Sequence, residues 1–237
     1  MPRLYVNQAL TAKSLIMLNP EQSHYLCHVL RQKIGSMLTV FNEVNGDWLA
    51  ILIEVKKKQV VIKVDSQQKL PVLTPPLWLA FAPLKQEATN LVLEKATELG
   101  VTHIQPLWME HSNTQRLNQD RWQKIVMEAA EQCERQDVPT ILSSLKLTAF
   151  LENLPANIHW FMALERSHQP CLLKALETAN GKKWGFIIGP EGGFSATEQH
   201  ILLHHPSIHP ITLGTRVLRA ETAALSALAV AQSALDK

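Results

Sequence analysis

Trp184-Gly185-Phe186-Ile187-Ile188-Gly189-Pro190-Glu191-Gly192-Gly193-Phe194-Ser195-Ala196-Thr197-Glu198 is the stretch on which the fold turns. Its first five residues are a short apolar run and read as a buried strand. Three glycines in the next five allow positive φ and let a ligand approach the backbone closely. Ser195-x-x-Glu198 is a capping box, which opens a helix. The order is therefore strand, glycine-rich loop, helix. In open α/β sheets ligands bind at the carboxyl ends of strands, where such a loop lies. Taken alone, the same loop also reads as a tight strand–helix connection.

Downstream, Leu213-Gly214-Thr215-Arg216-Val217-Leu218-Arg219-Ala220-Glu221-Thr222-Ala223 again leaves a strand (209–213) and enters a long helix (220–235). Upstream the alternation continues: strands over 78–83, 102–108 and 159–164, helices over 87–99, 120–135 and 170–179, and a helix over 196–203 after the glycine loop. Gly100 ends the first helix as a C-cap residue. Trp122, Ile125, Val126, Ala129 and Cys133 form an apolar stripe on the next. Strands alternating with helices predict a mostly parallel sheet covered on both faces.

Leu70-Pro71-Val72-Leu73-Thr74-Pro75-Pro76 interrupts this pattern, because proline favours extended backbone and opposes helix. It predicts a boundary, with one domain over 1–72 and a second over 73–237. The first seventy residues are β-rich: 37–41, 48–55 and 60–64 read as strands, Asn45-Gly46-Asp47 as a hairpin turn, and 19–30 as a short helix. Several short strands in so small a span predict a compact barrel.

Net charge is only +2, but residues 1–76 carry nine Lys or Arg against five Asp or Glu, and residues 77–237 fourteen against sixteen. A basic module preceding a slightly acidic one suits a binding unit attached to a chemical one. Cys27, Cys133 and Cys171 are far apart and odd in number, which speaks against a disulfide framework or zinc ribbon and fits a reducing compartment. No apolar run approaches the roughly 20 residues that span a bilayer, so the expectation is a soluble, cytoplasmic protein with no membrane partner. His24/His28 and His200/His204 have i, i+4 spacing but no accompanying ligand pattern, and no metal site is expected.

Together these segments resemble the SPOUT superfamily and, within it, the ribosomal RNA small subunit methyltransferase E family. GPEGGF (189–194) and LGTRVLRAETAA (213–224) carry the likeness. His24 with Val29-Leu30-Arg31, KATELGV (95–101), EAAEQC (128–133), Arg135 and Pro139 extend it over nearly the whole chain. Two positions depart: family members often have Gly where Glu134 stands and Arg-Ser where His111-Ser112 stands.

The resemblance implies an α/β fold: an N-terminal PUA-like β-barrel that binds RNA and a C-terminal SPOUT domain tied in a deep trefoil knot. It implies methylation of N3 of a uridine in 16S ribosomal RNA, as naked RNA or in an assembled small subunit, by a homodimer. S-adenosylmethionine would sit among Leu164 and Glu165; Gly189, Pro190, Gly192 and Gly193; and Leu213, Gly214, Val217 and Leu218. The absence of any G-x-G-x-x-G fits such a site. A uracil N3–H must lose its proton before it attacks a methyl group. Arg219 is the candidate for stabilising the uracil anion, and Glu191 and Glu221 for handling the proton or orienting the arginine. Arg3, Arg31, Lys33 and Arg135 are the candidate RNA contacts; the Lys56–Lys58 run reads first as a solvated turn. A non-catalytic RNA-binding or assembly factor, or a methyltransferase for another RNA or for ribose 2′-O, are the competing readings.

Overall fold

Asn19-Pro20-Glu21-Gln22 shows how local chemistry starts the first helix. The Asn19 side chain accepts from the Gln22 N–H, the Gln22 side chain accepts from the Asn19 N–H, and Pro20 occupies a position that has no N–H to lose. The computed structural model describes residues 1–56, 59–113, 117–179 and 181–235. They form two compact units, Met1–Leu73 with Ala130–Val138, and Thr74–Ala129 with Pro139–Lys237.

The first unit holds β1 (Arg3–Tyr5), β2 (Leu15–Met17), α1 (Pro20–His24), a π-helical turn (Tyr25–Val29), β3 (Met37–Asn42), β4 (Gly46–Lys56) and β5 (Gln59–Lys69). The sheet order is β1-β3-β4-β5-β2, with only β1 and β3 parallel. Leu4, Ile16, Leu26, Val40, Leu52 and Ile62 bring all five strands and the helical segment into one core. The sheet is five-stranded, with β1 and β2 at the ends of its order. The hairpin turn lies at Glu43–Asn45 rather than at 45–47. The Asn42 side chain accepts from the N–H groups of Val44 and Asn45 and closes the turn early, which leaves Asp47 inside β4.

Ala130–Val138 belongs to this unit although it follows the proline-rich linker by more than fifty residues. Backbone satisfaction explains why. Gln136, itself buried, accepts from the Val72 N–H and donates to the Leu70 C=O. The Tyr5 N–H donates to Glu131. Burial, with help from Glu43, pushes the Tyr5 hydroxyl up to about 12.

The second unit holds β6 (Leu77–Phe81), α2 (Gln86–Glu98), β7 (His103–Trp108), α3 (Gln119–Gln132, whose last residues lie in the first unit), β8 (Thr140–Ile141), β9 (Leu145–Lys146), α4 (Leu147–Glu152), β10 (His159–Ala163), α5 (Leu172–Thr178), β11 (Trp184–Ile188), α6 (Ala196–His204), β12 (Ile208–Ile211) and α7 (Ala220–Leu235). The sheet runs β12-β10-β11-β6-β7-β8, with β9 also on β7, and every pairing is parallel. β11 is buried at all five positions, as a central strand covered on both faces must be. At its second position a Cβ on Gly185 would stand 2.5 Å from the Trp160 ring, so only glycine lets that indole fill the core.

The strand order creates the site. From β10 the chain moves to β11 on one side and then to β12 on the other. β10 is thus the strand at which the direction of winding reverses, the place where open sheets open a crevice at their carboxyl ends. In register, Met162 stands opposite Ile187 and Ala163 opposite Ile211, so the loops leaving these three strands start side by side.

Candidate active site

A cavity of about 250 Å³ opens at these strand ends. Leu164 and Glu165 enter it from β10, Gly189 through Phe194 from β11, and Leu213, Gly214, Arg216, Val217 and Leu218 from β12. Ten residues expected at a cofactor site, Leu164, Glu165, Gly189, Pro190, Gly192, Gly193, Leu213, Gly214, Val217 and Leu218, all line it. The wall mixes exposed backbone from the glycine loop with apolar side chains, and Glu165 and Glu191 supply negative charge.

The glycine loop is held from three directions. Gly193 has φ 72°, a conformation that side-chain-bearing residues rarely adopt. Ser195 caps α6 by accepting from the Glu198 N–H. The Glu198 carboxylate, only 6% exposed, accepts from the N–H groups of Ser195 and Glu110. That second bond ties the turn after β7 to the loop. Glu191 accepts from the Lys85 N–H at the start of α2, where the helix dipole favours a carboxylate.

His111 completes the clamp. Its Nδ1 lies 3.2 Å from the Gly192 C=O and 3.1 Å from the Gly193 C=O. A carbonyl can only accept, so Nδ1 carries the proton and donates. The Cβ of His111 would be 3.1 Å from a Cβ placed on Gly192. The close approach of ring and loop therefore depends on glycine there.

Three strand-end loops meet at the winding reversal, the place where open α/β sheets bind ligands. Residues 72–232 match an RNA methyltransferase domain model, and residues 18–65 an RNA methyltransferase PUA domain model. The chain is 32% identical over 228 residues to the ribosomal RNA small subunit methyltransferase E of Rickettsia conorii, covering 96% of this chain and 93% of that protein. This chain belongs to the ribosomal RNA small subunit methyltransferase E family. Among solved structures of like fold, a methyltransferase of Legionella pneumophila in complex with bound cofactor SAM superimposes with TM-score 0.87 at 31% identity, covering 98% of this chain and 97% of that one. The family's protein from Neisseria gonorrhoeae, bound to S-adenosyl methionine, has TM-score 0.88 at 26% identity, covering 99% and 98%.

Within this family member the remaining expected residues separate. Glu191 lines the cavity, whereas Arg219 and Glu221 are not among its lining residues. Arg219 is exposed, and its C=O receives the Ala223 N–H at the start of α7. Arg216, Gln199 and Phe194 line the cavity without having been singled out. Arg216 stood in the same quoted segment as Arg219, and nothing in the linear order ranks one above the other.

The basic residues of the first unit also separate. Arg31 and Lys33 are exposed. Arg3, expected to meet RNA, is instead built into the unit. Its guanidinium pairs with Asp47 at 2.9 Å, donates to the C=O groups of Glu134 and Arg135, and lies over the Phe41 ring at 4.3 Å. Arg135 makes a two-pronged pair with Asp137 at 3.0 and 2.7 Å, with its side chain 11% exposed. Lys56 is exposed and paired to Glu54, while Lys57 and Lys58 lie outside the described residues. The His24 and His28 rings stack at 4.9 Å, and the His200 and His204 rings lie tilted to each other at 4.2 Å.

Proposed function

We propose that the protein transfers the methyl group of S-adenosylmethionine to N3 of a uridine in 16S ribosomal RNA of the small subunit. The observation that carries the reading is the convergence of the Leu164–Glu165, Gly189–Gly193 and Leu213–Leu218 segments on one cavity, in a chain of this family. The residues present fit that cofactor. Open backbone of the glycine loop offers donors and acceptors to the adenine and methionine polar atoms, Leu213, Val217 and Leu218 offer apolar faces to the adenine, and Glu165 and Glu191 suit a ligand bearing positive charge. With the fold comes the family's knot around these loops.

The cofactor, when bound, supplies an already activated methyl group. The protein then has to present the uracil edge and accommodate the N3 proton and the charge that develops as it leaves. Arg219 stabilises that charge in this reading. Glu191, with one oxygen on the Lys85 N–H and the other unpaired among the described residues, or Glu221 at the start of α7, takes the proton or orients the arginine. Arg31 and Lys33 are the RNA contacts of the first unit, and Arg135 acts after exchanging Asp137 for phosphate. Action as a homodimer in the cytoplasm completes the proposal.

The test has two parts. Saturating S-adenosylmethionine should raise the unfolding temperature of the protein by several degrees, since a ligand specific to the native state must stabilise it. Mass mapping of ribosomal RNA from cells lacking the protein should reveal one unmethylated uridine N3 in 16S RNA, restored by the gene. No thermal shift would favour an RNA-binding factor without catalysis. A lost mark on another RNA, or on a ribose 2′-O, would relocate the activity.

A further inference from the structure

A second cavity, of about 660 Å³, lies in the same unit, its lining ending at Phe161 on β10 and Ile211 on β12, just before Ala163 and Thr212 of the first. The loop leaving β10 walls both, with Glu165 on one and His168 on the other. The chemistry of the lining is different from that of the first cavity. His159, His168, His209 and Lys174 supply three imidazoles and an ammonium, with no carboxylate in the lining among the described residues. Phe161 and Ile211 lie beneath it, 2% and 0% exposed, and the exposed His209 ring sits 6.0 Å from the Phe161 ring. Lys174 has no ion-pair partner among the described residues, and His168 and His209 are exposed.

Exposed imidazole rings beside an ammonium, in a cavity of ligand size, match a planar base joined to a phosphate. A metal does not suit the set: among the described residues no three His, Cys, Asp or Glu side chains are grouped to hold one. We propose that this cavity binds a single nucleotide, its base against the exposed His209 ring and its phosphate on Lys174 and His168. Two sources share that chemistry, a nucleotide of a substrate RNA strand or a free nucleoside monophosphate. The binding claim does not depend on which base is methylated, and fails or stands apart from the functional reading above.

The test follows the imidazole Hε1 signals of the full-length protein by NMR during titration with uridine 5′-monophosphate, adenosine 5′-monophosphate, inorganic phosphate and uridine. Both monophosphates should move the His168 and His209 signals saturably, with a dissociation constant below about 1 mM. Phosphate or nucleoside alone should bind at least tenfold more weakly. The double variant Lys174→Ala/His209→Ala should lose the response while its thermal shift with S-adenosylmethionine stays that of the wild type. Absence of a saturable response, or an unchanged one in the variant, overturns the proposal. A several-fold higher KM for small-subunit methylation at unchanged kcat in the variant assigns the nucleotide to the RNA strand. Unchanged KM with lost monophosphate binding assigns it to a free nucleotide.

Discussion

The glycine loop of the second unit and the arginines of the first respond to folding in opposite ways. Every glycine and apolar residue expected around the cofactor lines the cavity at the strand ends. Of four basic residues expected to meet RNA, Arg31 and Lys33 are exposed, Arg3 is drawn into the interior, and Arg135 is paired. The difference lies in what each residue contributes. A glycine contributes backbone geometry, which is set where it stands in the chain. An arginine contributes a charge at the end of a long side chain, and its partner is whatever the fold brings within reach.

The pair that most directly breaks this contrast is Arg3–Asp47, with side chains 9% and 3% exposed. Asp47→Ala would strand a buried guanidinium, and unfolding measurements should show a loss of about 3–5 kcal/mol. The double variant Arg3→Met/Asp47→Leu should recover most of it, as expected for a structural pair and not for an RNA contact.

Next in size is the arginine choice in the second unit. Arg219→Ala should lower single-turnover methyl transfer by about 10²–10³-fold with the cofactor-induced thermal shift retained, the cost of removing a preorganised charge. Arg216→Ala, at a residue that lines the cavity, serves as its comparison. A larger rate loss in Arg216→Ala would transfer the anion-stabilising role to Arg216.

Two residues with left-handed backbone sharpen the contrast at smaller scale. Arg31 (φ 53°) ends the π-helical turn and Glu134 (φ 63°) follows α3, and each holds a conformation that costs a side-chain-bearing residue about 1 kcal/mol. Arg31→Gly and Glu134→Gly should each raise stability by roughly 0.5–1 kcal/mol in denaturant titrations. Only Arg31→Gly should also weaken RNA binding and reduce its salt dependence by about one phosphate contact. Equal RNA binding in both variants would remove Arg31 from the interface.

The smallest effect concerns His103, stacked on Trp78 at 4.2 Å, whose imidazole burial shifts below the usual range. The unfolded chain takes up the proton as pH falls below about 6.5, while the folded chain resists it. Its contribution is therefore complete above that pH and declines below it, down to the folded value. His103→Phe should flatten the stability profile of the wild type in that window.

Much of the second unit was legible because strand and helix periods are local. The strand 184–188 and the helix 220–235 agree with β11 and α7 residue for residue, and the Ser195 capping box forms as read. The first unit was less legible where side chains replace backbone chemistry. Asn42 moves the hairpin turn, and the helix expected over 19–30 widens into a π-turn after His24, with the Leu30 N–H reaching the Tyr25 C=O. His111 was visible only as a departure from the family. Its bond to the glycine-loop carbonyls spans more than eighty residues of chain and has no local signal.

By itself the sequence determined what is written in spacing and residue type: alternating strands and helices, a glycine loop opening onto a capped helix, a proline-rich break, and a family likeness along the whole chain. Tertiary structure alone decided that β10 lies between β11 and β12, so that three loops far apart in sequence share one cavity. It likewise decided that 130–138 returns to the first unit and which charges are spent inside it. The physical reason is one of range: dihedral preferences and capping act over a few residues, whereas burial and charge pairing are settled only when distant segments meet.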